Sequence, residues 1–165
     1  MTGNRVSYTL ESSLTSINTA EETALKIAAQ AGFDDDESQK ISMAVREAAV
    51  NAVLHGNAYD PQKKMTLAFE STGNALVITV TDQGQGLDPN NITDPLSPEN
   101  LLKQSGRGIF LMRAFMDEVR IRPLDPNSDQ SGTEVTMIKN VRGESAQRPD
   151  DGRGGAAAGG KEAAQ

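Results

Sequence analysis

Glu47 and Asn51 stand one helical turn apart inside an otherwise apolar run, REAAVNAVLHGN, at residues 46–57. At 100° per residue, Glu47, Asn51 and His55 fall on one narrow stripe. Ile41, Val45, Ala48 and Ala52 lie to one side of it, and Met43, Val50 and Leu54 lie nearly opposite. A helix covered on most of its circumference is the expectation. A carboxylate held there is costly unless something compensates it. A metal ion, a bound water, a ligand or a neighbouring Lys or Arg would each serve.

A second carboxylate, Asp82, closes the apolar run ALVITVTD and opens TDQGQGLDP, with Gly84 and Gly86 behind it. Glycines let the backbone turn sharply or lie close to a flat ligand. An aspartate at the base of a pocket can accept a hydrogen bond from an exocyclic amine such as that of adenine. A tight turn after a strand reads equally well from these residues alone. A second glycine pair, Gly106 and Gly108, precedes the helical run in SGRGIFLM. Backbone amides at a glycine-opened helix start bind phosphate oxygens well. The chain lacks the GK[ST] ending of a Walker A loop.

These residues need elements to position them. VSYTLES alternates over residues 6–12 and predicts a half-buried strand. Residues 17–31 take helical spacing, with Ala24, Ile27, Ala28 and Ala31 on one face and Gly32 as the stop. The acidic stretch DDDES favours the start of a second helix reaching Leu54 or His55, where Gly56 is expected to end it in a left-handed conformation. KMTLAFES and ALVITVTD, joined by Thr72, Gly73 and Asn74, read as a hairpin. Residues 87–105 carry Pro89, Pro95 and Pro98 and form a long connection of the kind used for functional lids. GRGIFLMRAFMDEV predicts a third helix, and VRIRP and GTEVTMIKN two more strands. The order implies an α/β two-layer sandwich, with helices on one face of the sheet.

Composition narrows the class. The 165 residues fit one domain, residues 1–142, followed by a Gly/Ala-rich tail at 143–165 without Val, Ile, Leu, Met or an aromatic residue. Such a tail cannot offset its ordering entropy and is expected to be disordered. A net charge of -7 argues against direct nucleic-acid binding and gives no support for an anionic membrane surface. With no cysteine, disulfides and thiolate metal sites are excluded. No signal-like or membrane-spanning run is visible, so a cytoplasmic protein is expected.

In order, the chain gives Glu47xxxAsn51, Asp82xGly84xGly86, Gly106xGly108, and Gly132-Thr133 opening the last strand. This set resembles the Bergerat-fold ATPase superfamily. The short form with EAAVNAVLHGN and SGRGIFLMRAFMDEV resembles its anti-sigma-factor serine/threonine kinases, the RsbW/SpoIIAB-like group. The resemblance covers all but the tail. It implies a mixed, mainly antiparallel sheet and an ATP-dependent kinase that needs Mg²⁺. Its substrate would be a STAS-domain anti-anti-sigma protein, and it would regulate transcription by partner switching with a sigma factor. A homodimer is also implied. Asn51 matches the asparagine that holds Mg²⁺ against the phosphates, and Glu47 the carboxylate that polarises the attacking hydroxyl or supports the metal shell. Asp82 matches the adenine-reading aspartate, and Gly84 and Gly86 line base and sugar. Gly106, Arg107 and Gly108 wrap the triphosphate, and Thr133 reaches adenine through water. The alternatives are a non-catalytic ATP-dependent binding switch and a detached histidine-kinase catalytic domain. Retention of Glu47 favours the kinase over the switch. The single histidine, His55, lies in the same helical stretch as Glu47 and Asn51, and no separate dimerisation helices carrying a phosphoacceptor histidine are visible, which disfavours the third reading.

Overall fold

The computed structural model describes residues 4–84, 107–124 and 131–141. The expected lid at 87–105, Gly86, Gly106 and the tail lie outside them. Five strands form one sheet in the order β1-β2-β3-β5-β4. They are β1 (Asn4–Glu11), β2 (Lys64–Ser71), β3 (Ala75–Thr81), β4 (Glu118–Pro123) and β5 (Thr133–Asn140). Every pairing among the described strands is antiparallel, in keeping with the mainly antiparallel sheet that the resemblance implied. The β2–β3 hairpin is as expected: Gly73 has φ 91°, and Thr72 N–H donates to the Ala75 carbonyl at 3.0 Å.

Among the described residues, three helices form the second layer: α1 (Leu14–Gln30), α2 (Asp35–Val50) and α3 (Arg107–Phe115). α1 begins a turn before the apolar spacing predicts. Ser13 caps it, its side chain accepting from Ser16 N–H at 3.2 Å. Gly32, at φ 103°, follows its end as expected. Asp34 caps α2 by accepting Glu37 N–H at 2.8 Å. α1 and α2 meet through Ala20, Ala24, Ala28, Ala44 and Ala48, all fully buried; such small residues let helix axes come close. Alternate residues of the strands (Met65, Leu67 and Phe69; Leu76, Ile78 and Val80; Val135 and Met137) fill the same core. The fold is thus the expected two-layer α/β sandwich.

Three expectations are corrected. The side carrying Met43 and Leu54 is not covered, Met43 being 42% and Leu54 39% exposed, whereas Val50 is half-buried and packs against the core. The apolar spacing there is real, but it leaves the Met43 and Leu54 side chains open. The third helix ends at Phe115 rather than continuing through Val119. Glu118 and Val119 pair with Ile138 and Met137, because closing the sheet edge outcompetes one more helical turn. Finally, α2 does not continue as an α-helix to Leu54. It widens into a π-helical turn, Asn51–Gly56, with Asn57 N–H donating to the Ala52 carbonyl five residues back at 2.7 Å.

Candidate active site

The widened turn separates residues that the wheel had put together. Glu47 and Asn51 remain half-buried on the α2 side, whereas His55 is exposed. Glu47 and Asn51 meet the start of α3. A Cβ on Gly108 would stand 3.2 Å from Glu47 Oε1 and 3.6 Å from both Asn51 side-chain heteroatoms. Gly108 is therefore a point of close approach. The neighbouring cation is engaged elsewhere: Arg46 donates to Glu21 at 2.9 Å and to Asn18 at 3.0 Å on α1. Among the described residues, no ion pair or side-chain hydrogen bond reaches Glu47 or Asn51. Of Arg107, the backbone opens α3.

The other end of the π turn builds a second group around Asp82, which is 6% exposed. Its Oδ1 accepts the N–H groups of Gly84 at 2.9 Å and Thr133 at 3.1 Å. Its own N–H donates to the Thr133 carbonyl at 3.0 Å. Oδ2 faces the Cα of Gly56, where a Cβ would overlap the carboxylate. Gly84 lies on the Gly56 carbonyl and Gly132, at φ 139°, on the Asp82 carbonyl, each too close for a side chain. Burial pushes the Asp82 carboxyl above its ordinary 3.8, against the opposing pull of the two backbone N–H groups and of Lys63. One oxygen is thus committed to the backbone. The other has no hydrogen-bond partner among the described residues.

The structure thus brings Glu47, Asn51 and Gly108 together, and Asp82, Gly84 and Thr133 together, with the six-residue π turn linking the two groups. Two contributors, Gly56 and Asn57, were missed from sequence, and a third, Gly132, was noted there without its role. Gly56, read there as a left-handed helix stop, is instead the surface on which Asp82 rests. The positive φ angles fall on Ala58 and Tyr59, at 53° and 59°. Gly132 is required by the Asp82 backbone. Asn57, 1% exposed, ties the end of the turn to both flanking strands. The motif HGN offered a signal for it, but an asparagine after a helix also reads as an ordinary cap.

Acidic and amide groups at one end of the π turn and a buried carboxylate among glycines at the other define a nucleotide-binding class of fold. Residues 10–139 match the family model described as the histidine kinase-like ATPase domain. The serine-protein kinase RsbW of Bacillus licheniformis is 35% identical over 132 residues, covering 76% of this chain and 77% of the relative. The anti-sigma F factor of Anoxybacillus flavithermus is 32% identical, over 64% and 71%. The crystal structure of the RsbU and RsbW domains of a Mycobacterium tuberculosis protein superposes with a TM-score of 0.59 at 21% identity, covering 84% of this chain and 32% of that one, and supports the fold. The chain belongs to the histidine kinase-like ATPase domains and, within them, to the RsbW-type anti-sigma serine-protein kinases. It is accordingly an ATP-using protein serine kinase. None of its described helices is long and apolar enough to cross a membrane.

Proposed function

We propose that the protein transfers the γ-phosphoryl group of Mg²⁺-ATP to a serine of a STAS-domain anti-anti-sigma protein, and that this exchange governs its hold on a sigma factor. The observation that carries the reading is the convergence of Glu47 and Asn51 on Gly108 at the start of α3, without a competing partner among the described residues. Phosphoryl transfer asks the protein mainly for positioning and charge neutralisation, which a domain of this size can supply.

Each residue has a role in this reading. The Asn51 amide oxygen is a hard donor suited to Mg²⁺, which keeps much of its coordination as water and phosphate oxygen. When bound, the ion supplies neutralisation of phosphate charge. Glu47 accepts or orients the proton of the attacking serine hydroxyl. The free Oδ2 of Asp82 accepts the adenine 6-amino group, with Thr133 and Gly84 fixing the carboxylate. Gly108, with Gly106 and Arg107, frames the phosphates at the N-terminus of α3, where backbone N–H groups favour anions. Gly86 completes the base and sugar side. Because sigma factors act on RNA polymerase, the reading puts the protein in the cytoplasm.

A homodimer belongs to the same reading. Among the described residues β1 pairs on one edge only, and antiparallel pairing of two copies about Tyr8 would set Arg5 of one opposite Glu11 of the other.

The test is direct. The protein, Mg²⁺-ATP and each small STAS protein encoded in the same genome are mixed and assayed for phosphoserine. Labelling of one of them is expected, and its absence from all of them despite complex formation would leave a binding switch in place of the kinase.

A further inference from the structure

We propose that Asn57 is a positioning residue for base recognition: it locks the π turn and the Asp82 segment into one unit, and so sets the selectivity for a 6-amino purine. The inference rests on Asp82 as the base-reading carboxylate.

All three polar positions of the Asn57 side chain are used. Nδ2 donates to Ser12 Oγ at 2.9 Å and to the Lys64 carbonyl at 3.0 Å, and Oδ1 accepts Gln83 N–H at 2.8 Å. The first two bonds anchor it to residues flanking the end of β1 and the start of β2. The third holds the residue immediately after Asp82. The anchors are themselves fixed: Ser12 Oγ donates to the Lys63 carbonyl at 2.6 Å, and Lys64 N–H donates to Gln83 Oε1 at 2.6 Å. Asn57 N–H closes the π turn on the Ala52 carbonyl, one residue beyond Asn51.

The consequence is geometric. Gly56 must lie on Asp82 closely enough that no Cβ fits, and Asp82 must present one oxygen to Thr133 and Gly84 while the other stays free. Nothing in the Asp82 side chain fixes its distance from Gly56. Asn57 does, because it is joined to Gly56 by the chain itself on one side and hydrogen-bonded to the residue following Asp82 on the other. A site that discriminates by hydrogen bonding depends on where the acceptor stands. Displacement by as little as an ångström can cost on the order of a hundredfold.

Three variants of the full chain separate this from a purely structural role: Asn57→Ala, Ser12→Ala and Asp82→Asn. Each is titrated with Mg²⁺-ATP and with Mg²⁺-inosine triphosphate, which lacks the 6-amino group, and each is melted without nucleotide. Ser12→Ala removes an anchor but leaves the Gln83 bond. It should melt lower and keep the wild-type preference for ATP. Asn57→Ala should melt lower and also lose about tenfold or more of that preference. Asn57→Ser, too short to reach Gln83, replaces it if the alanine variant does not fold. A folded Asn57 variant with the wild-type preference overturns the inference. So does an equal loss of preference in Ser12→Ala, which would mean that selectivity follows general loosening. Asp82→Asn tells the two levels apart. If it keeps the wild-type preference, the base-reading assignment itself fails. If it loses the preference while Asn57→Ala does not, only the role of Asn57 fails.

Discussion

Gly56 rests on the Asp82 carboxylate so closely that a Cβ at position 56 would occupy the space of the carboxylate itself. Two residues 26 positions apart therefore constrain each other: one must be glycine because the other is buried beside it. Gly56→Ala should destabilise the domain by about 1–3 kcal/mol, the usual range for forced overpacking. It should also weaken nucleotide binding, because the carboxylate is the side chain able to move. A thermal melt beside a nucleotide titration checks both. Unaltered ATP affinity in a destabilised protein would mean that Asp82 does not face the base.

Asp82 also predicts a pH dependence. Its folded-state pKa is raised above 3.8, chiefly by burial. On acidification the folded state therefore takes up this proton before the unfolded chain does. The stability linked to that proton is fully present below 3.8 and is lost as pH rises through the folded value. Without nucleotide, the wild-type melting temperature should fall across that window relative to Asp82→Asn. Bound ATP, by hydrogen bonding to the ionised carboxylate, should flatten the fall. Parallel melting curves for wild type and variant across the window would remove Asp82 as the cause.

Much of this frame was legible in the sequence because it is periodic. Alternation marked β1, the hairpin signal marked β2 and β3, VRIRP and GTEVTMIKN marked β4 and β5, and Gly32 and Gly73 marked the turns that they occupy. Glu47, Asn51, Asp82 and the glycine pairs were legible as a set whose order matched a family. Contacts between distant segments were not legible. Six residues of π turn leave no periodic trace, so His55 was expected on the stripe of Asn51. Apolar spacing told that Met43 and Leu54 share a face but not that the face is open. The end of α3 at Phe115 depends on Val119 finding Met137 on β5, which no local propensity encodes. Gly56 looked like a helix stop because its reason to be glycine is a carboxylate brought to it by the sheet.

Lys139 offers a test of the packing behind the site. It is 8% exposed, and its Nζ donates to the Phe115 carbonyl at 3.0 Å and pairs with Glu37 Oε1 at 3.1 Å. It thus joins β5, the end of α3 and the first turn of α2. Lys139→Met preserves the apolar stem but leaves the Phe115 carbonyl without this donor, a loss of about 1–3 kcal/mol. Glu37, about a third exposed, should matter less: Glu37→Gln is expected to change stability by under about 1 kcal/mol. Denaturant unfolding of the two single variants and the double variant measures the coupling. Equal losses from the two single variants would place the energy in the ion pair rather than in the carbonyl contact.

Asn51→Ala should fold normally, since the amide makes no hydrogen bond to a described residue and its removal strands no partner. Nucleotide affinity in the presence of Mg²⁺ should drop strongly, while the residual affinity in chelator should be close to that of the wild type. That pattern separates loss of a metal ligand from loss of the pocket. Equal affinities of wild type and variant in Mg²⁺ would refute the assignment of Asn51.

Glu47→Gln distinguishes chemistry from binding. The substitution is nearly isosteric, and Glu47 is half-buried with no ion pair among the described residues, so the fold and the contact with Gly108 should survive. What disappears is a negative charge able to accept or orient the proton of the attacking hydroxyl, a contribution worth about 10²–10⁴-fold in rate. ATP and the STAS partner should still bind, and single-turnover phosphorylation should slow by that factor. If Glu47 served only to support the metal, the loss would appear as weaker Mg²⁺-ATP binding and would be recovered at higher Mg²⁺. If the protein worked as a switch without chemistry, the variant would behave as the wild type in both assays. The decisive measurement is phosphoserine formation under saturating nucleotide, wild type against Glu47→Gln, beside a pull-down of the same partner. Full-rate labelling by the variant would end the case for Glu47 as the proton acceptor.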